Sequence, residues 1–146
     1  MSKVNKRKEN YIARIDHLDQ FYASNQGLVS FSFKYFQYND GEGQSFEEWE
    51  KDRILSDLNN KLKFFSGKTK KSLLVDQTLV IYGVFPTNTK FKEPKYLVEY
   101  PILWARLRLT GRRRLIGFFV NNGVLEDIFY IVFLDKNHEF YPVKIN

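Results

Sequence analysis

The chain has 146 residues, of which 43% are hydrophobic and 17% aromatic, and its formal net charge is +6 at pH 7. This length suits one domain with a substantial core, and the absence of cysteine excludes disulfides, thiol catalysis and cysteine-based zinc sites. No apolar run approaches the roughly 20 residues that cross a bilayer, and the basic start is followed by no apolar stretch of a secretory signal. We therefore expect a cytoplasmic protein with no membrane partner.

The predicted organisation is a flexible basic tail over residues 1–8, followed by a single α+β domain over residues 9–146. A helix is predicted from Glu9 to Ser24, because apolar residues recur there near one helical face. A strand is predicted from Leu28 to Tyr38, where side chains alternate with a period of two.

An acidic helix is predicted next. Ser45 and Glu48 have the spacing of a capping box, in which a hydroxyl and a carboxylate satisfy each other's free amides at a helix start. An apolar stripe then continues to Phe65 and ends before Gly67, which indicates one helix over residues 45–65. Its early acidic residues favour the positive helix start. No Asp, Glu or His spacing there resembles a ligand set, so we predict no metal and no cofactor.

Strands dominate the rest of the chain, with a long loop over residues 86–95 and turns at residues 110–111 and 121–123. The predicted fold is α+β, with a mostly antiparallel sheet of about five strands and two helices packed on one face. The later strands are predicted at Leu79–Val84, Tyr96–Leu109, Arg113–Val120, Ile128–Leu134 and Phe140–Lys144.

Arginines are concentrated in one predicted hairpin. On its first strand the period of two places Trp104, Arg106 and Arg108 on one face, which we expect to look outward. Repulsion between neighbouring guanidinium groups costs up to about 1 kcal/mol per close pair, so the clustering favours an anionic ligand. Solvated arginines at a hairpin end are the alternative. After a tight turn, three more arginines open the next strand: Arg112, Arg113 and Arg114.

Cleavage of RNA through its 2′-hydroxyl needs a base, cations for the phosphorane and an acid for the leaving 5′-oxygen. The candidate catalytic residues are Arg106, Arg108, His138 and Tyr141. Stacking aromatics and further cations would bind the nucleic acid. These candidates are Trp104, Arg112, Arg113, Arg114, Tyr130 and Lys136.

Several of these residues also have an ordinary structural explanation. His138 directly follows a good turn sequence, where histidine is commonly exposed. Tyr141 precedes a proline and is equally a packing residue at a sheet edge. Trp104 and Tyr130 fit a core or a half-buried rim as well as a stacking surface.

The segment from Tyr100 to Tyr141 resembles the RelE/YoeB-like toxins of bacterial toxin–antitoxin pairs. In that family a compact antiparallel sheet carries basic residues on adjacent strands, and a site near a C-terminal tyrosine cleaves mRNA on the ribosome. The resemblance implies a metal-independent, mRNA-interferase-like endoribonuclease, with RNA, the ribosome and an acidic antitoxin-like protein as partners. The matching elements are Arg106-Leu107-Arg108, Arg113-Arg114-Leu115-Ile116 and His138-Glu139-Phe140-Tyr141.

Three hypotheses about function therefore compete. A toxin-like endoribonuclease requires the four candidate catalytic residues to converge on one exposed concave face. A non-catalytic RNA- or DNA-binding module would use the same basic face, with binding that weakens as salt rises. A protein-interaction module of a phage, mobile element or defence system would meet an acidic partner, and an exposed apolar patch bordered by the arginines would favour it.

Overall fold

The computed structural model describes residues 3–15, 17–38, 43–121 and 127–142. Within these ranges, no helix combines the length and the apolar character that crossing a membrane requires. The helices are α1 (Lys3–Ile15), α2 (Leu18–Asn25), α3 (Phe46–Lys51), α4 (Leu55–Ser66) and α5 (Lys70–Val75), with a 3₁₀ turn at Lys95–Leu97. The strands are β1 (Ser30–Ser32), β2 (Leu79–Gly83), β3 (Ile102–Arg108), β4 (Arg114–Val120) and β5 (Ile128–Asp135).

The five strands form one sheet in the order β1-β5-β4-β3-β2. Strands β2 to β5 pair in antiparallel fashion, while β1 lies parallel to β5 at the opposite edge from β2. The predicted α+β class and the mostly antiparallel five-stranded sheet are therefore confirmed.

Both faces of this sheet are covered. On one face, Trp49 of α3, Leu58 and Phe65 of α4 and Leu73 of α5 pack against Ala105, Leu107 and Leu115. On the other, Trp104, Phe118 and Phe133 lie beneath loop residues Phe91, Leu97 and Phe140. Residues directly opposite on antiparallel strands share a face, so Arg106 lies on the loop-covered side with its partners Val80 and Ile116.

The register between β4 and β5 shifts at Gly117. A Cβ at this position would lie 2.0 Å from the carbonyl oxygen of Tyr130 and 2.8 Å from the ring of Phe129. Only glycine fits such a contact.

The predicted helix over residues 45–65 is instead two helices, although its capping box is present at Ser45 and Glu48. Arg53 adopts a left-handed conformation with φ of 61°. The Ile54 amide bonds the Trp49 carbonyl and the Arg53 amide bonds the Glu50 carbonyl, which is the Schellman helix end. Glycine usually occupies the left-handed position, so an arginine there gave no sequence signal.

The N-terminal predictions also differ from the structure. Helix α1 already begins at Lys3, within the segment predicted to be a flexible tail. The predicted helix from Glu9 to Ser24 is divided between α1 and α2 near His17. The predicted strand from Leu28 to Tyr38 is reduced to β1, because Phe33 to Phe36 form a turn closed by a bond between the Phe36 amide and the Phe33 carbonyl.

Two later strands are shorter than predicted. Strand β3 begins only at Ile102, because Pro94 starts the 3₁₀ turn and Pro101 has no amide to donate to a neighbouring strand. Residues 140–142 lie outside any strand. The remainder of the predicted last strand, and the predicted turn beyond Asn121, lie outside the described residues.

Candidate functional site

A cleft of about 770 Å³ opens on the loop-covered face, where edge strand β2 meets β3. Its volume falls within the roughly 300–1,000 Å³ of typical ligand clefts. One wall comes from the loop over residues 86–88, and the other from the segment that follows β5. The lining side chains are Val80, Tyr82 and Arg106 from the strands, Pro86, Thr87 and Asn88 from the loop, and His138, Tyr141 and Pro142 from the C-terminal segment.

Asp135 fixes the turn that carries His138. Its side chain is 1% exposed, and its two carboxylate oxygens accept hydrogen bonds of 2.9 Å from the amides of Glu139 and Phe140. Burial raises the pKa of this carboxyl group, while the two amide bonds oppose the rise. The turn is therefore closed by hydrogen bonds to the buried Asp135 carboxylate. Phe140, which follows in the chain, packs its side chain in the hydrophobic core.

Contacts from other parts of the chain also hold this turn. Gln44 Oε1 accepts bonds from the Trp49 indole at 3.1 Å and from the Lys136 amide at 2.7 Å. Lys90, from the loop over residues 86–95, forms an ion pair of 3.2 Å with Glu139. The position of His138 is thus determined by the sheet, by helix α3 and by the loop together.

His138 has a backbone φ of 57°, a left-handed conformation that is uncommon outside glycine and in which asparagine, aspartate and histidine are enriched. Burial lowers the pKa of its imidazole below the ordinary 6.5, and the charges of Arg114, Arg106 and Arg112 lower it further, against the opposite effect of Asp135. The imidazole is therefore neutral at neutral pH and can accept a proton.

Backbone carbonyls hold the guanidinium group of Arg106 in place. Its Nη1 donates to the Thr78 carbonyl at 3.2 Å and to the Gln77 carbonyl at 3.4 Å. No carboxylate among the described residues lies within ion-pair distance of it. It is a fixed cation with an unneutralised charge, which suits it to bind an anion.

Tyr82 and Tyr141 stack face to face, with ring centroids 4.5 Å apart and an interplanar angle of 14°. Burial raises the pKa of Tyr82, so its hydroxyl stays protonated at neutral pH. Tyr141 is 51% exposed. The outer tyrosine can therefore meet a ligand while the inner one supports it.

The remaining arginines of this face differ in role. Arg108 is exposed at the end of β3 and pairs with Arg114 across the sheet, beside the cleft rather than in its lining. Arg114 donates to the carbonyls of Gly111 and Arg113 at 2.9 Å each. Burial lowers the pKa of Arg114, as do the charges of Arg106 and Arg108. Arg112 is exposed in the turn. Together they make this end of the sheet strongly positive.

Two residues predicted to stack on bases, Trp104 and Tyr130, lie outside the cleft lining. Trp104 is 1% exposed and packs in the core against Phe85 and Phe118, so it cannot stack on a base. The expectation that its whole strand face looks outward fails because the loop over residues 86–95 covers it. Tyr130 stacks on Phe118 at 5.1 Å, at the opposite end of the sheet from His138.

Two predicted basic contacts are instead engaged in ion pairs outside the cleft. Arg113 reaches toward the helices and bonds Asp57 of α4 at 3.0 Å. Lys136 bonds Asp52 at the end of α3, at 2.6 Å. Both hold helices to the sheet, and neither lines the cleft.

Three features of the cleft were not predicted from the sequence: Tyr82, the lining residues of the 86–88 loop and the role of Asp135. A role for Tyr82 in the cleft can be predicted only when β2 is known to pair with β3. Tyr82 lies two residues after Val80, the partner of Arg106, so both side chains lie on the same sheet face as Arg106. The role of Asp135 could have been predicted from the sequence, because an aspartate at the start of a turn commonly accepts hydrogen bonds from later backbone amides.

Among the described residues, no group of three or more His, Asp or Glu side chains is arranged to hold a metal ion. Comparison of the chain with protein-family models, with curated proteins and with solved structures gives no match. Functional conclusions therefore rest on the geometry of the cleft.

Proposed function

We propose that this protein binds RNA in the cleft and cleaves it by attack of a 2′-hydroxyl on the adjacent phosphodiester. The observation that carries the proposal is the convergence of Arg106, His138 and Tyr141 on one open cleft. A base, a cation and a hydroxyl donor are the groups this reaction needs.

His138 is the general base of the proposed reaction. Its lowered pKa keeps the imidazole neutral at neutral pH, which is the form that takes the 2′-hydroxyl proton. The surrounding arginines then have a second effect, since they raise the affinity of the cleft for the phosphate that brings this hydroxyl to the base.

Arg106 stabilises the negative charge that develops on the phosphorane. The carbonyls that hold it leave its position fixed before substrate binds, so little reorganisation is required during the reaction. Arg112 and Arg114 contribute to the positive field, and Arg108 extends it along the path of the RNA backbone.

Tyr141 donates a proton to the leaving 5′-oxygen. The 2′-oxygen forms a bond to phosphorus, the bond from phosphorus to the 5′-oxygen breaks, and the products are a 2′,3′-cyclic phosphate and a 5′-hydroxyl end. The proton that His138 has taken returns to Tyr141, so the cycle closes without another reactant. The exposed ring of Tyr141 offers a surface on which a base can stack.

The resemblance to RelE/YoeB-like toxins agrees with this proposal. By that resemblance the substrate would be mRNA on the ribosome, the protein would act in the cytoplasm, and an acidic antitoxin-like protein would restrain it. The cationic end of the sheet suits an acidic segment as well as RNA, because both neutralise the same arginines.

Cleavage should survive removal of divalent metals and require a 2′-hydroxyl. The assay incubates purified protein in EDTA with a single-stranded RNA, and in parallel with the same RNA carrying 2′-deoxy sugars throughout. We expect the RNA alone to be cut, with 2′,3′-cyclic phosphate ends, and both strands to be bound with an affinity that falls as salt rises. Ribosomes are added in a second series.

Other outcomes would favour the alternative functions. Salt-sensitive binding without cleavage, with and without ribosomes, would contradict the ribonuclease and leave a nucleic-acid-binding module. Absence of both signals would contradict the proposal altogether and favour an interaction module with an acidic protein partner.

A further inference from the structure

Another groove, of about 500 Å³, opens at the start of α3 and shares no lining residue with the cleft. We call it the aromatic groove. Phe46 provides its apolar wall and is 37% exposed, and Tyr38, which lines the same groove, is 53% exposed. Contiguous exposed apolar surface of this kind marks an interaction site. The lining residues are Tyr38, Ser45, Phe46, Glu47 and Glu48.

The rings at the aromatic groove form one packed cluster. Phe36 stacks on Phe46, with centroids 4.5 Å apart and an interplanar angle of 19°, and it also packs against the core beneath the helices. Phe33 meets the Phe46 ring edge to face at 5.5 Å, and the Tyr38 ring lies 5.7 Å from that of Phe36. Because neighbouring rings hold one another in place, little side-chain freedom is lost when a ligand binds here.

Carboxylates border these rings. Glu47 and Glu48 are exposed, and neither belongs to an ion pair with another described residue. The helix start explains Glu48, since its Oε1 accepts a bond of 3.3 Å from the Ser45 amide. It does not explain Glu47, whose side chain bonds no other described residue. The aromatic groove is therefore negatively charged, in a protein whose formal net charge is +6.

No cation of the described part of the chain lies over the rings of this groove. The cation–π contacts among the described residues use other rings, which are those of Tyr35, Phe64 and Phe119. The face of an aromatic ring attracts a cation through its quadrupole, and a carboxylate beside the ring attracts the same cation. The ligand that complements the groove is therefore a cation with an apolar, planar shape.

We propose that the aromatic groove binds arginine side chains of an extended basic segment in a protein partner. A guanidinium group is planar and weakly hydrated, so it stacks on an aromatic ring and can also donate two parallel hydrogen bonds to a carboxylate. Phe46 supplies the ring and Glu47 supplies the carboxylate. Lysine fits less well, because its ammonium group is a compact and strongly hydrated charge.

Charge selects a basic protein segment over RNA at this groove. Glu47 and Glu48 repel the phosphates of RNA, whereas the cleft attracts them through Arg106 and the neighbouring arginines. A basic segment is attracted to the groove and repelled from the cleft for the same reason. The two surfaces therefore take ligands of opposite charge, and binding at the groove does not require RNA cleavage at the cleft.

Fluorescence anisotropy with a labelled hexa-arginine peptide tests this binding on the full chain. We expect saturable binding that weakens as salt rises, because the charges that attract one another are exposed. A hexa-lysine peptide with the same label should bind more weakly, and a hexa-glutamine peptide should not bind. Equal affinity for the arginine and lysine peptides would overturn the assignment of arginine as the ligand.

Two substitutions test whether the peptide occupies the groove. Glu47→Gln removes the unpaired carboxylate, and Phe46→Leu keeps an apolar side chain but removes the ring. Each should weaken hexa-arginine binding about two- to fivefold, the usual contribution of an exposed ion pair or cation–π contact. The matched control is Glu99→Gln, which removes an exposed carboxylate outside the groove lining and should bind the peptide like the wild type.

Three results would overturn the proposal. These are absence of hexa-arginine binding at low salt, binding that neither groove substitution weakens, and equal weakening by Glu99→Gln and Glu47→Gln, which would indicate attraction to charge anywhere on the protein. Circular dichroism verifies that Phe46→Leu is folded, because Phe46 packs on Phe36. Glu47 is exposed, so the Glu47→Gln result decides the matter even if the other variant unfolds.

Discussion

Replacing His138 by asparagine is expected to reduce RNA cleavage by about 10²–10⁴-fold, the usual contribution of a general base. Asparagine tolerates the left-handed backbone at this position better than alanine does, so the turn should remain folded. The loss should appear in the rate of the chemical step, measured with enzyme in excess over RNA, while RNA binding persists because the arginines are unchanged.

The matched control is His17→Asn, which alters the only other histidine of the chain at an exposed site outside the cleft. It should cleave at the wild-type rate.

The pH dependence of the cleavage rate provides a second test of His138. Because the base must be neutral and its pKa is lowered, the wild-type rate should be level near neutral pH and fall only below the ordinary value of 6.5. Equal rates for wild type and His138→Asn would exclude His138 as the base.

Replacing Asp135 by asparagine is expected to reduce both stability and cleavage. The amide nitrogen of asparagine cannot accept the second bond from the turn, so one buried backbone donor loses its partner, at a cost of about 1–3 kcal/mol. The turn then holds His138 less firmly, and the cleavage rate falls at temperatures where the protein is still fully folded. Urea unfolding and single-turnover cleavage measure the two effects separately.

A purely structural role would not alter the titration of His138. The Asp135 charge opposes the lowering of the His138 pKa, so its removal should move the acidic limb of the rate profile to lower pH. Asp76→Asn is the control, because Asp76 also accepts a backbone amide, from Thr78 at 2.9 Å, but is exposed. That variant should leave the profile unchanged. An unshifted limb in Asp135→Asn would contradict the positioning role.

The fold followed from the sequence where local patterns were unambiguous. Alternation defined β3, and a capping box at Ser45 defined the start of α3, so the α+β class could be predicted. The break at Arg53 could not, because its left-handed conformation is carried by a residue that rarely adopts it. The exposure of α1 and α2 was also unpredictable, since an apolar stripe indicates a buried face without showing what buries it.

The candidate site was predicted in part. Arg106, His138 and Tyr141 were chosen for their chemistry, and the structure brings them into one cleft. Composition could not distinguish Arg113, whose carboxylate partner lies 56 positions earlier in the chain, from the arginines that form no ion pair with a described carboxylate. Long-range pairing of this kind depends on the packing of α4 on the sheet, which no local pattern encodes.

The most direct test of the central claim is proton NMR of the two histidines during titration with an uncleavable 2′-deoxy-substituted RNA. His17→Asn assigns the two imidazole signals. We predict that the His138 signal shifts to saturation, that the His17 signal does not move, and that added salt reverses the shift. A saturating complex in which His138 is unperturbed would show that RNA binds elsewhere and would contradict the assignment of the cleft.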